Sequence, residues 1–404
     1  MKDGTKPEQL PYRMGKKMNL IKSIVDNQDD LMSWRQHLHQ NPEIAYEEKD
    51  TSDFVAAKLE SFGIEVHRGF GGTGLVGVIQ GNQPGDKAVG LRADMDALPM
   101  PEQTNLPYAS QRDGRMHACG HDGHTTMLLG AAQHLAATRE FPGTVYVIFQ
   151  PAEEGGNAGA RSMINDGLFE KFKMDSVWGM HNWPGLEVGR AVAHTGAAMA
   201  GADIFILTID GKGGHAAMPQ QSKDPVVAAG MTIMALQTLI SRRLDPFDQA
   251  VISLTRLDAG SAYNVIPSTA TVGGTLRTMK SETRAQMLAE IEQVASQAAS
   301  TLGCTVSMEL RPGYPPTINH AADALFARDV IGDVLGDNGV DTSLTPVMGA
   351  EDFSFMLQQK AGAYIWLGAG TDSEFLHSPH FDFNDDLLPI GASLWVKLVE
   401  AKLA

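Results

Sequence analysis

GADIFILTIDG, residues 201–211, is where this 404-residue chain changes its grammar. Ile204–Gly211 reads as a strand, and DPVVAAGMTIMALQTLISRRL (224–244) behind it as an apolar helix. Two strands follow, AVISLTRLDAG (250–260) and TATVGGTLRT (269–278). The segment from Ser281 to Ser300 is a helix with Met287, Ile291, Val294, Ala295 and Ala298 on one stripe. CTVSMEL (304–310) closes the set as a strand. The order β-α-β-β-α-β is that of a ferredoxin-like α+β unit. Upstream the pattern differs. DDLMSWRQHLHQ (29–40) is an amphipathic helix stopping before Pro42, and TSDFVAAKLESFG (51–63) is a second, closed by Gly63. LVGVIQG and AVGLRADM read as strands, TTMLLGAAQHLAA as a helix, and TVYVIFQPAEE as a buried strand running into a loop. Strands alternating with helices predict an α/β sheet covered on both faces. After Tyr314 that pattern returns, with a helix near Ala324–Leu335, the strand AYIWLG and a final helix from Leu387. The expected architecture is therefore a two-domain α/β protein. A first domain, 18–199 and 315–404, is interrupted by an inserted unit, 200–314.

Composition narrows the function. Hydrophobic residues make up 43% and charged residues 20%, which is a globular balance. The net charge of −16 opposes a nucleic-acid partner, because long-range repulsion works against phosphate binding. No apolar run approaches the ~18 residues of a membrane span. The polar start, residues 1–17, reads as a loose tail without a secretory core. Two distant cysteines, Cys119 and Cys304, give no disulfide framework, and the cytoplasm is the expected compartment. GFGGTG (69–74) matches a dinucleotide fingerprint, but a strand rather than a helix follows it. It is read as a glycine-rich turn between strands.

The chemistry lies in four short stretches. HACGHDGH (117–124) crowds a thiol, three imidazoles and a carboxylate at the mouth of a helix. Cys119 and His121 are expected on the loop entering that helix, free to converge on a borderline-soft divalent metal. Read alone, the same stretch also fits a packed cysteine beside ordinary histidines. FQPAEEGG (149–156) sends Glu153 and Glu154 out of an apolar strand, an unfavourable position unless a cation is near. WGMHNWP (178–184) puts His181 at a strand end, where α/β sheets build their sites. EFLHSPHF (374–381) adds His377 and His380. Cys, His, Glu, His and His exceed one tetrahedral site and suit two ions about 3.5–4 Å apart with one shared ligand.

HACGHDGH, FQPAEEGG, GMHNWP, GKGGHAAMP, YNVIP, GTLRT, GAEDFS and LHSP, in this order, resemble the M20 metallopeptidase family, most of all its D subfamily of N-acyl-amino-acid amidohydrolases. The resemblance runs from about residue 30 to the C-terminus. It implies a metal-dependent enzyme that holds two divalent ions, zinc or manganese first, cobalt or nickel as alternatives. Cys119, His121, Glu154, His181 and His377 would be the ligands, with Cys119 shared, and Glu153 the general base. His215 would meet the oxyanion, reaching across from a partner subunit. Asn264 and Arg277 would hold the substrate carboxylate, and Glu351 would line the pocket. The inserted unit would be a lid and dimerisation domain, so the resemblance implies a homodimer. The substrate would be a small N-acyl amino acid, with no nucleic acid and no membrane involved. A dipeptidase of the same family, or a metal-bearing binding protein without turnover, are the alternatives. One departure stands out. Many M20 peptidases carry H-x-D where this chain has LRADMDALP, and Arg92 cannot ligate a metal. Asp94 and Asp96 are therefore expected to act by hydrogen bonding behind the ligands, and His117 and His124 to be structural.

Overall fold

The computed structural model describes residues 18–336 and 338–404; the tail read over residues 1–17 lies outside them. Its largest sheet has seven strands in the order Glu65–Phe70, Gly74–Gln80, Pro142–Gln150, Gln83–Asp94, Ser176–Pro184, Ala361–Gly370, Ala191–Val192. The four strands from Pro142–Gln150 to Ala361–Gly370 in that order run parallel, and the outer ones are antiparallel. The inner strands are near-continuous runs of buried residues, as parallel strands covered on both faces must be. Their carboxyl ends, at Asp94, Gln150, Pro184 and Gly370, gather along one edge.

Helices Gln28–Gln40, Lys49–Ser61, His121–Thr138, Ala321–Leu335 and Leu387–Leu403 enclose one core, with Leu31, Leu59, Leu91, Met127, Trp178 and Trp395 inside it. Short helices Gly159–Asn165, Leu168–Lys171 and Ser354–Gln359, which the sequence reading did not mark, pack with Phe172, Met356, Tyr364 and Trp366 in a second core. GFGGTG is a hairpin turn, as expected: it joins the antiparallel strands Glu65–Phe70 and Gly74–Gln80, with positive φ at Gly69, Gly71 and Gly72.

The segment Gly201–Pro312 forms its own antiparallel sheet, ordered Ala250–Ala259, Thr269–Thr278, Gly201–Asp210, Thr305–Pro312. That strand order is the ferredoxin-like one. Helices Pro225–Thr238 and Ser281–Ser300 close a third core over it, around Phe205, Leu207, Ile209, Val272, Met287 and Ile291. Two expectations need correction. Ala299 is buried on the second helix, whereas Ala298 is only half-buried, because the stripe drifts at 3.6 residues per turn. The stretch Pro225–Arg243 is, by length and composition, apolar enough to cross a membrane, contrary to the reading of no such run. In this fold its Ala228, Ala229, Thr232 and Leu236 are buried in the inserted unit.

The helix that carries the metal motif shows how tightly these layers meet. A Cβ at Gly123 would lie 2.2 Å from the Phe383 ring. Alanine there would gain about 1 kcal/mol of helix propensity, but overpacking costs about 1–3 kcal/mol. Gly123→Ala is expected to lower stability in denaturant titrations, and to do so much less in a Phe383→Leu background. Equal losses in both backgrounds would exclude this contact as the cause.

Candidate metal centre

The expected ligands come from element ends along one edge of the large sheet. Cys119 occupies the turn before helix His121–Thr138, and Gly120, at φ +101°, starts the helix at His121. His121 is thus the first helical residue rather than part of the entering loop. The left-handed Gly120 removes the helical spacing between the two side chains and lets them converge. A Cβ there would stand 2.2 Å from the Asn182 side-chain oxygen. Glu153 and Glu154 follow the left-handed Ala152 at the end of Pro142–Gln150. His181 lies on Ser176–Pro184. His377 is itself left-handed (φ +65°), and its N–H donates to the Ala118 carbonyl at 2.7 Å, which ties the C-terminal loop to the cysteine turn.

Two groups of donors share the thiol: Cys119, His121 and His181, and Cys119, Glu154 and His377. Within each, the candidate ligand atoms lie within 4.8 Å of one another. Cys119 Sγ is 3.3 Å from His181 Nε2, and His377 Nε2 is 3.1 Å from Glu154 Oε1. The tautomers follow from the partners, since a carbonyl can only accept. His121 Nδ1 donates to the Asp96 carbonyl at 2.8 Å, and His181 Nδ1 to the Asn182 carbonyl at 2.7 Å. In the neutral form of each ring this leaves the Nε2 lone pair for the thiol-centred group, the arrangement a ligating imidazole needs. His121 Nε2 is buried without a hydrogen-bond partner, a penalty of about 1–3 kcal/mol that a cation would remove.

Electrostatics agree with that fit. Burial opposes charge on His121, yet Asp94, Asp96 and Glu154 outweigh it and raise the imidazole to about 10. Burial, with Glu154, Glu153 and Asp94 close by, pushes the Cys119 thiol well above its usual value. Burial and the carboxylates of Glu351, Glu154 and Asp352 do the same to Glu153. Nearby carboxylates contribute to all three shifts, whereas burial and the imidazoles of His124 and His121 hold His181 well below its usual value. The Glu153 carboxylate, 7% exposed, accepts no hydrogen bond from any described residue.

The remaining candidates fall elsewhere. His124 Nδ1 meets Asp94 Oδ1 at 2.7 Å and its Nε2 lies 2.6 Å from Asn182 Oδ1 and 3.1 Å from the Asn182 backbone nitrogen, so neither nitrogen is free. Arg92 is buried and donates to Gln150, Asp94, Glu351 and Asp352. Glu351, expected to line the substrate pocket, is 2% exposed; it accepts from Arg92, the Phe353 N–H and the Tyr364 hydroxyl, behind Glu153. His117 is buried with both ring nitrogens unpartnered, and burial holds it neutral at about 3. His380 is exposed and meets the Gln103 carbonyl. His215 and Asn264 lie side by side on the ribbon formed by Gly214–His215 and Val265–Ile266, both exposed. Arg277 is half-buried on Thr269–Thr278, opposite Ala202 and Val251. No hydrogen bond or ion pair among the described residues joins these three to the thiol-centred groups.

Comparison with known proteins places the chain in a family. The profile of peptidase family M20/M25/M40 matches residues 90–401. The chain belongs to this family. It is 42% identical over 382 residues to the hippurate hydrolase of Campylobacter jejuni, covering 94% of this chain and 98% of that one. It is likewise 42% identical over 381 residues to an Arabidopsis thaliana IAA-amino acid hydrolase, ILR1-like 4, covering 91% of this chain and 85% of that one. Its fold superposes on the crystal structure of the Bacillus subtilis YXEP protein, described as a dinuclear metal binding peptidase of family M20. The TM-score is 0.83 and the identity 34%, with 95% of this chain and 99% of that one covered. M20 chains keep a catalytic domain and a lid domain, and both layers are present here.

A charge network behind the centre was not read from the sequence. Arg35, fully buried, holds Asp385 through two bonds of 2.8 and 2.9 Å and Asp382 at 3.2 Å. His39 donates to Asp122 at 2.8 Å, one residue beyond His121, and lies 3.4 Å from Glu102. The spacing of Arg35 and His39 on the buried stripe of their helix was the available signal. Burial opposes the charge on His39, but Asp122 and Glu102 raise it to about 9. A folded value above the unfolded ~6.5 gives stability that is complete below pH 6.5 and lost between about 6.5 and 9. The contribution is roughly 3 kcal/mol. The stability gap between wild type and His39→Gln, from unfolding titrations, should shrink across that window. A gap independent of pH would refute it.

Proposed function

We propose that this M20 protein is a binuclear-metal amidohydrolase that cleaves N-acyl or N-aroyl amino acids to a carboxylic acid and a free amino acid. The observation that carries this reading is the sharing of Cys119 by two three-donor groups, with a buried, unbonded Glu153 beside them. The names of the C. jejuni and A. thaliana relatives support the substrate class. We assign Cys119, His121, Glu154, His181 and His377 as ligands. A thiolate with imidazoles favours zinc, and the carboxylate admits manganese, cobalt or nickel. Two divalent ions held there would supply the Lewis acidity that acidifies water and polarises the amide carbonyl.

The chain's own residues do the rest. Glu153, buried beside the candidate ligands and accepting no hydrogen bond from any described residue, takes a proton from the attacking water and returns it to the leaving amine. Residues 200–314 serve as lid and dimerisation domain between catalytic segments 18–199 and 315–404. A homodimer through this domain is supported by the unpaired outer edge of Ala250–Ala259 and by Val226, Val227, Met231 and Met234, exposed on the neighbouring helix. His215, exposed and apart from its own centre, would donate to the oxyanion of a partner subunit. Asn264 beside it and Arg277, which makes no ion pair among the described residues, would bind the substrate carboxylate as a planar fork does. Glu351, bound to Arg92, acts on the proton affinity of Glu153 rather than on substrate. The cytoplasm is the proposed compartment.

Metal-stripped protein reloaded with each ion should hydrolyse a benzoyl-amino acid. Glu153→Gln should keep the ions and lose about 10²–10⁴ in kcat. Faster cleavage of dipeptides would assign a dipeptidase, and indifference to Glu153→Gln a binding protein. Arg277→Met should raise KM at least tenfold for the acid substrate, since charged hydrogen bonds contribute about 1.5–3 kcal/mol. It should leave the corresponding amide, which lacks the carboxylate, unaffected. Equal effects on both would remove Arg277 from substrate binding.

A further inference from the structure

Glu48 and the Asp96 side chain are buried carboxylates that this chemistry leaves unused. Both act on the turn that carries the base. At the end of Pro142–Gln150 the backbone passes through Ala152, left-handed at φ +54°, and then Glu153, right-handed at φ −70° and ψ −40°. A left-handed residue followed by a right-handed one points successive N–H groups to one side, making a concavity for an anion. In this protein the anions are side chains. The Ala152 N–H donates to Glu48 Oε1 at 2.9 Å. The Glu153 and Glu154 N–H groups donate to the two oxygens of Asp96 at 3.0 and 2.9 Å. Glu48 Oε2 accepts from the Thr73 hydroxyl at 2.6 Å, so the glycine-rich turn Gly69–Gly74 is tied to the same clamp. The carbonyl of Asp96 fixes the His121 tautomer. Asp96 is placed in turn by the Ala97 N–H, which donates to the Glu43 carbonyl at 2.7 Å.

We propose that Glu48 and Asp96 are positioning residues for the general base: they set the backbone of Ala152–Glu154 so that Glu153 faces substrate while its neighbour Glu154 faces the ions. This rests on the reading of Glu153 as the base. Two adjacent carboxylates of similar reach can exchange places by a small rotation of the turn, and only the backbone distinguishes them. An error of about 1 Å in a catalytic group is enough to cost about 10²-fold in rate. Burial pushes Glu48 up to about 7, with the Thr73 hydroxyl opposing and Asp96 adding. A neutral acceptor of the same shape can therefore replace it.

The test uses the full chain loaded with metal, and a benzoyl-amino acid as substrate. Glu48→Ala should lower kcat about 10- to 100-fold, with KM within about threefold and metal content unchanged. Glu48→Gln, which keeps an oxygen for the Ala152 N–H, should stay within about threefold of wild type. Thr73→Val, which frees one oxygen of Glu48, should lose a few-fold in kcat and gives a second reading should Glu48→Ala not fold. Unchanged kcat in both Glu48→Ala and Thr73→Val overturns the proposal, as does a loss confined to KM or metal content. Glu153→Gln run alongside separates the two ideas. If it keeps turnover, the base itself is misassigned; if it is inactive while Glu48→Ala is not, only the clamp fails.

Discussion

Buried negative charge has to be matched, and the rest of this structure is arranged around that requirement. Asp94, Asp96, Glu153, Glu154, Glu351 and Asp352 meet along one edge of the large sheet. Two like charges 4 Å apart repel by about 4 kcal/mol at an effective dielectric near 20. The chain answers in three different ways. Arg92 takes Asp94, Glu351 and Asp352. Backbone N–H groups take Asp96. Glu154 is gathered with the thiol and three imidazoles into donor groups that could hold a cation.

Arg92 is central to this division. Its guanidinium is charged at any accessible pH and has donors enough for several carboxylates at once. This places one fixed unit of positive charge among the buried carboxylates. Glu351, expected in the substrate pocket, accepts instead from that guanidinium beside Glu153, and the Tyr364 hydroxyl closes over it.

Much of this was legible beforehand because it is written in local patterns. The strand–helix alternation, the change of grammar at Gly201 and the β-α-β-β-α-β order all survive in the fold, since period and turn chemistry are local properties. The five donors were legible as types at element ends, and their convergence follows from strand ends sharing one edge. What escaped was whatever depends on contacts far apart in the chain. Glu48 belongs to no motif, and its partners lie 25 and 104 residues away. The bonds from Arg35 to Asp382 and Asp385 span about 350 residues. Short helices such as Gly159–Asn165 carry too few turns for a periodic signal.

The position of Ala361–Gly370 in the sheet bears on how the protein comes into being. This strand sits between Ser176–Pro184 and Ala191–Val192, made some 170 residues earlier. His377 and helix Leu387–Leu403 follow it. The inserted unit can complete its own sheet before Ala361–Gly370 is made, whereas the larger sheet cannot close until that strand follows. A chain that extends only through the inserted unit lacks His377, and so presents at most four of the five candidate donors.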